Sequence, residues 1–199
     1  MGGISPGELA DILESHQRWL ADDPLGKRTV LAGYDLSGSV LVRANLEKAD
    51  LSGADLRGAD LTAANLKAAD LAGALLDRAR LSNATLEGTR FDQASLKQAD
   101  LTDADLSEAF IISSTFTDAV MIGVVMARAR LNKCILQNVN LTKANLRAVS
   151  VFGADLKNAI LCGADLTGAH FRDVFLSGAD LKGANLNKSN IKTSDSKRK

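Results

Sequence analysis

The residue types that most often carry catalysis or bind metals are few and far apart in this chain. Its 199 residues include two histidines, His16 and His170, and two cysteines, Cys134 and Cys162. A zinc site needs about four close ligands, and a nucleophilic cysteine needs a neighbouring base in a pocket. Neither a phosphate-binding glycine loop nor a Cys-x-x-Cys motif occurs. We therefore predict a protein that is not an enzyme, with no metal, no cofactor and no small-molecule substrate.

Carboxylates and amides form a longer series, because Asp or Asn recurs at steps of five residues, as at Asp50 and Asp55. One interpretation is a calcium-binding or anion-mimicking surface. The other is that these short side chains bond the local backbone near turns. We favour the backbone interpretation, because the pattern recurs along the whole repeat.

The same step of five governs the apolar residues. From Leu36 to Ile191 an apolar centre occupies every fifth position, which makes 32 centres, of which 24 are Leu. A step of five turns an α-helix by roughly 140° and reverses the face of a strand, so neither element buries all the centres. We call each five-residue repeat a phrase. The centres share one interior only if the chain turns after every phrase. Glycine, which follows a centre by two residues in 11 phrases, suits the positive φ of a type II turn.

The centres that are not leucine indicate how many phrases make one coil. With four phrases per coil, five of these eight exceptions fall in a single column: Phe91, Ile111, Val151, Phe171 and Ile191. With three phrases per coil they scatter. We therefore predict four phrases per coil and eight coils, in a rod roughly 38 Å long at the usual spacing of paired strands.

The phrase itself resembles the A(D/N)LXX repeat of the pentapeptide repeat proteins, for example at Ala44-Asn45-Leu46 and Ala154-Asp155-Leu156. The resemblance covers residues 31–191. It implies an all-β solenoid, a right-handed quadrilateral β-helix of about eight coils, whose interior is filled by the centres. Much of this family has no assigned biochemical role.

Residues 1–30 are predicted to be a capping helix and linker. Ser5-Pro6-Gly7-Glu8 matches a capping box, and we expect a helix over residues 6–21 that covers the first coil. Residues 192–199 form a basic tail, which we expect to be disordered. The last coil would then be exposed at Leu176, Leu181, Leu186 and Ile191, so the chain is either a monomer with an open end or an end-to-end homodimer.

Charge and hydropathy bound the cellular setting. Lys plus Arg and Asp plus Glu are equal, at 24 each, but residues 35–110 carry a net charge of −5 and residues 111–199 a net charge of +7. We find no signal peptide and no run of apolar residues long enough for a membrane span. The expectation is a cytoplasmic protein without a membrane contact.

Departures from the repeat predict a binding surface. Large apolar or basic residues flank the column of Phe91 and Phe171, where a repeat ordinarily carries small polar ones: Arg90, Phe110, Ile112, Arg130, Phe152, His170 and Arg172. Clustered arginines and aromatics are typical of protein interfaces. The alternative is that these apolar side chains pack within the wall.

Three functions follow from these features. The first is a non-enzymatic scaffold that binds an unidentified protein. The second, implied by the family's quinolone-resistance branch, is a DNA mimic that binds DNA gyrase; the zero net charge, the basic C-terminal half and the lack of a C-terminal dimerisation helix depart from that branch. The third is nucleic-acid binding through the basic half, which includes Lys or Arg at 128, 130, 133, 143, 147, 157 and 172.

Overall fold

A computed structural model describes residues 4–194 of the chain. It begins with helix α1, Pro6–Leu20. Ser5 accepts a hydrogen bond from the Glu8 amide, and the Glu8 carboxylate accepts one from the Ser5 amide. This reciprocal pair is the capping box expected from the sequence, and it satisfies two amides that lack partners inside the helix.

After α1 the chain forms a four-sided parallel β-solenoid. Each residue of a strand or bridge pairs with the equivalent residue four phrases later, in a series of eight steps from Val30 to Asn190. Four pentapeptides therefore make one coil, as predicted. We label the four walls A to D, by the centres Leu31, Leu36, Leu41 and Leu46 with which they begin.

Continuous strands occur on wall A, where five of them form a parallel sheet in chain order over the last four of those steps. They are β1 Phe110–Ile112, β2 Arg130–Asn132, β3 Ser150–Phe152, β4 His170–Val174 and β5 Asn190–Thr193. Strand β5 includes Lys192 and Thr193, which the sequence analysis assigned to the tail. Residues 195–199 of that tail lie outside the described residues.

Each corner is a tight turn at the second residue after a centre. In the phrase that begins at Leu51, the Ala54 amide donates to the Leu51 carbonyl at 3.1 Å, and Gly53 has a φ of 64°. Every corner from position 33 to position 188 has a positive φ, although most of the residues that occupy these corners are not glycine. The others accept the left-handed conformation because intercoil bonds hold the chain on both sides of it.

The centres fill the interior, and the small residue two positions before each centre lies beside them. Leu51 and Ala54, for example, have no exposed surface. At two of the positions where a hydroxyl replaces this alanine, it donates to the carbonyl of a centre in the preceding coil: Thr89 donates to Leu66 at 2.7 Å, and Ser114 donates to Phe91. The core tolerates these two polar atoms because each has a partner, whereas the buried hydroxyl of Thr29 has no hydrogen-bond partner among the described residues.

The two ends of the solenoid differ. Helix α1 covers the first coil, with Leu9 buried against the core. At the other end Leu176, Leu181 and Ile191 are half-buried, and Leu186 is 45% exposed. Among the described residues no further coil stacks on the last one, so its centres are open on one side.

Candidate binding surface

All seven residues proposed from the sequence lie on wall A. The parallel register places Arg90, Phe110, Arg130 and His170 in one row, on the N-terminal side of the centres. A second row, on the C-terminal side, contains the others: Ile112, Phe152 and Arg172. Residues that are four phrases apart in the sequence thus become direct neighbours on adjacent coils.

The apolar members of this wall point toward solvent. Phe110, Ile112 and Phe152 are 41%, 42% and 40% exposed. The centre between the first two, Ile111, is fully buried, because side chains alternate along a strand. These residues therefore lie on the outer face of the sheet and leave a large part of their surface uncovered.

Two arginines lie over the aromatic rings. The guanidinium carbon of Arg130 is 5.3 Å from the centroid of the Phe110 ring, and that of Arg172 is 5.8 Å from the centroid of Phe152. At such distances the charge of a guanidinium is attracted to the face of the aromatic ring. Each pair therefore presents an apolar surface with a positive charge fixed above it.

Charge is not uniform along wall A. Arg90 binds Asp70 at 3.2 Å and Asp92 at 2.8 Å, so its charge is neutralised within the wall. Nearer the C-terminus, Arg172 is 3.5 Å from Asp173, and among the described residues that is the one carboxylate on this part of the wall. The register also adds Lys133 and Lys192, which sequence reasoning missed. The sequence contains a signal for both: Lys192 lies four phrases after Arg172, and Lys133 lies four phrases after the corner at position 113.

The carboxylate series does not form a ligand site. In fifteen of its sixteen positions the side chain accepts the amide of the residue two places later, as Asp50 does from Ser52 at 3.0 Å and Asp60 from Thr62 at 3.1 Å. The hydrogen bond from the Ser52 hydroxyl lowers the pKa of Asp50, with the amide adding to it. These side chains stabilise the start of each corner.

The remaining reactive residues are dispersed. Both cysteines are free thiols; Cys134 is buried, and this burial raises its pKa to about 11. A hydrogen bond with Asp180 raises the pKa of Cys162. A thiol with a raised pKa is a poor nucleophile at neutral pH. No group of three His, Cys, Asp or Glu residues in the described chain is arranged to hold a metal ion.

His16 has a structural position. It is fully buried on α1, where its Nδ1 accepts the Thr29 amide at 3.0 Å and its Nε2 donates to the Glu47 carbonyl at 3.0 Å. The ring stacks on Trp19. His16 therefore joins the helix to the linker and to the first coil.

A surface depression of about 530 Å³ lies at the corner that follows wall B. Its lining includes Arg57, Asp77, Arg78 and Lys97. Arg57 is turned toward Asp55, and Arg78 donates to Gln98 at 2.9 Å. The arginines are thus committed to neighbours on the wall and do not converge on a common point.

No helix in the part of the chain that the structure describes is long and apolar enough to cross a membrane.

Comparisons with known proteins agree with this geometry. The family model for pentapeptide repeats matches in eight copies, over residues 27–62, 59–98, 74–118, 112–148 and 152–187. No curated protein matches the sequence.

Three solved structures are among those similar to this chain. HetL, a pentapeptide repeat protein involved in heterocyst differentiation regulation in the cyanobacterium Nostoc sp. strain PCC 7120, is 26% identical over 94% of this chain and 97% of its own, with a TM-score of 0.46. QnrB1, a plasmid-mediated fluoroquinolone resistance protein, is 16% identical over 85% of this chain and 92% of its own, with a TM-score of 0.57. The pentapeptide repeat protein alr5209 from Nostoc PCC 7120 is 26% identical over 63% and 80%, with a TM-score of 0.42.

The family model covers most of the chain, and every coil has the pairing and the corners that its repeat requires. This chain belongs to the pentapeptide repeat family.

Proposed function

We propose that this protein is a non-enzymatic scaffold that binds another protein through wall A. The observation that carries the proposal is the exposed set of Phe110, Ile112 and Phe152 beside Arg130 and Arg172 on one sheet. Aromatic and arginine side chains dominate the binding energy of protein interfaces. A sheet whose strands are all paired through the solenoid holds them in fixed positions, so little entropy is lost on binding.

Affinity capture with the purified chain as bait, from the cytosol of its source organism, tests this function. We expect a specific protein to be retained by the wild-type chain and lost with Phe152→Ala and with Arg130→Ala. The matched control is Val120→Ala, which removes an apolar side chain of similar exposure (38%) from wall C. Equal capture by all three variants, with unchanged thermal stability, would refute a role for wall A.

DNA gyrase is a second partner to test, since QnrB1 shares the fold. Three features of the chain weigh against DNA mimicry: net charge is zero, the C-terminal half is basic, and the carboxylates are tied into corners and ion pairs. We therefore expect the purified chain to leave gyrase supercoiling, and its inhibition by a fluoroquinolone, unchanged. Protection of gyrase in that assay would replace our proposal.

Nucleic-acid binding is the third candidate, and the register weakens it. The basic residues that suggested it are spread over all four walls, for example Lys133 on A, Lys157 on B, Lys143 on C and Arg147 on D. A nucleic acid is bound along one positively charged groove that follows its phosphate backbone, and residues on four different walls do not form such a groove. A salt-dependent shift of labelled DNA by the wild-type chain would argue for this function.

The open last coil is a further contact surface that we propose for a second copy. End-to-end packing would cover the exposed Leu186 and the half-buried Leu181. Light scattering tests it: an end-to-end dimer should be lost in the double variant Leu181→Lys and Leu186→Lys. A monomeric mass for the wild-type chain at high concentration would exclude this contact.

A further inference from the structure

Wall A differs between its two halves in charge. From residue 50 to residue 93 it carries three carboxylates and one guanidinium, a net charge of −2: Asp50, Asp70, Asp92 and Arg90. From residue 130 to residue 193 it carries four cations and one carboxylate, a net charge of +3: Arg130, Lys133, Arg172, Lys192 and Asp173. The wall is thus a dipole along the rod.

The two halves also differ in relief. In the acidic half, two of the outer side chains on the C-terminal side of the centres are small, Ser52 and Ala72, and the corners that follow them are Gly53 and Gly73. A Cβ added at Gly53 would meet nothing within 4 Å, so this part of the wall is low and open. In the basic half Phe152, with Arg172 over its ring, protrudes.

The exposed pair Phe110 and Ile112 lies at the middle of the wall. Four pairing steps separate their coil from Val30, and four separate it from Asn190. A half-turn of the rod about an axis across the wall at this coil exchanges the two halves. It brings the coil of Asp50 opposite that of Arg172, and the coil of Ala72 opposite that of Phe152.

From this arrangement we propose that two copies of the chain associate antiparallel, wall A against wall A, about the coil of Phe110 and Ile112. The acidic half of each copy faces the basic half of the other, and Phe152 of each faces the low surface at Ala72. The contact is isologous, and therefore closes as a dimer. The repeat spacing is the same in both copies, so the facing coils stay in step along the rod.

The area of wall A limits how tightly two copies can bind. A face about 38 Å long and three residues wide buries on the order of 800 Å² over both copies, at the low end for specific complexes. We therefore expect weak, reversible and salt-sensitive association, since charge pairs at an exposed face are screened by salt. A protein partner on wall A would compete with the second copy. The inference is independent of partner binding, because it concerns the purified chain alone.

Sedimentation equilibrium of the full chain tests the proposal, across a concentration series at low and at high salt. At low salt the apparent mass should rise from 21.0 kDa toward twice that value, and high salt should weaken association by at least tenfold. The double variant Lys133→Glu and Arg172→Glu, which reverses cations that face the coils of Asp92 and Asp50, should remain monomeric at low salt. Asp50→Asn with Asp70→Asn should weaken association while keeping the oxygen that accepts the corner amide.

The matched control is Arg128→Glu with Arg147→Glu, which makes the same charge change on wall D and should associate like the wild-type chain. Small-angle X-ray scattering then identifies the geometry, since an antiparallel dimer is about as long as one rod and an end-to-end dimer about twice as long. The same measurements on the double variant Leu181→Lys and Leu186→Lys, which lacks the end-to-end contact, separate the two modes of association. In that variant a monomer at every concentration, or association that the wall A charge reversal leaves unaffected, would overturn the inference.

Discussion

At the scale of single residues, the preferences of the repeat follow from the need to form a corner every five residues. Asp and Asn are interchangeable before the centre, because both offer a side-chain oxygen to the amide two positions later. Alanine lies two positions before the centre because that place is fully buried beside the leucines. Neither preference reflects ligand chemistry.

The corners give the first prediction. Ala63 is exposed and has a φ of 56°, a conformation that costs an L-residue roughly 1–2 kcal/mol and costs glycine little. Ala63→Gly should therefore raise the free energy of unfolding, by up to about 1 kcal/mol after the flexibility of glycine is counted.

Its control is the adjacent residue. Ala64 is fully buried, and Ala64→Gly should lower stability by about 1 kcal/mol or more, since it removes core contacts and adds chain flexibility. Urea unfolding of both variants checks the pair. A loss of stability in Ala63→Gly would show that the corner is not strained.

The centres give the second prediction. Leu101→Ala, in a fully buried position in the middle of the rod, should cost about 2–5 kcal/mol. Leu186→Ala, in the last coil where the side chain is 45% exposed, should cost clearly less. The unfolding midpoints in urea measure both, and equal losses would indicate that the last coil is covered in solution.

At the scale of elements, α1 is held to the solenoid by a buried neutral histidine. Burial lowers the pKa of His16; the bond to the Glu47 carbonyl and the charge of Glu47 oppose this shift, whereas Arg28 adds to it. Above pH 6.5, the ordinary value, the folded and unfolded states both hold a neutral ring. Below it the unfolded state takes up a proton first, so stability falls as pH decreases toward the lowered native value.

The third prediction follows from this linkage. Between pH 7.5 and pH 5.5 the docking of α1, followed by the fluorescence of Trp19 in urea, should weaken progressively. In His16→Ala this pH dependence should vanish, and docking should be weaker throughout by roughly 1–3 kcal/mol, since two backbone groups lose their partner. The variant His170→Ala, in which the exposed histidine of wall A is removed, should keep the wild-type pH dependence.

At the scale of the whole molecule, the solenoid that the structure describes is closed by a helix at one end and finishes in an open coil at the other. An exposed strand edge can pair with the exposed edge of another copy. If both ends of the solenoid were open, copies could stack head to tail and build a filament. Because α1 covers one end, head-to-tail stacking is blocked. We therefore expect copies of the chain to associate only through contacts that close as a dimer.

The fourth prediction tests the cap. Deletion of residues 1–28 removes α1 and leaves both ends of the solenoid open, so the truncated chain should assemble into species that grow with concentration. Dynamic light scattering measures this growth, and the full chain is the reference. A truncated chain that stays at the size of the full chain would show that the helix is not needed to block stacking.

The periodicity of the sequence was sufficient to predict most of the fold. Because 32 centres repeat without an insertion, a single turn geometry had to serve the whole chain, and the column of Phe91, Ile111 and Phe171 indicated the coil length. The capping box at Ser5 similarly predicted the start of α1, since its bonds are local. The predicted tail begins two residues too early, at Lys192, because the pairing of β5 with β4 depends on a strand one full coil away.

What the sequence by itself determined is therefore the interior: which residues are buried and how often the chain turns. Only the tertiary structure decided what the outside presents. It showed that Phe110, Ile112 and Phe152 are exposed, that Arg90 is neutralised while Lys133 and Lys192 join the same wall, and that His16 bonds both the linker and the first coil. The physical reason is that burial follows a local period, whereas exposure, ion pairing and the contacts of His16 depend on neighbours that only the stacking of coils brings together.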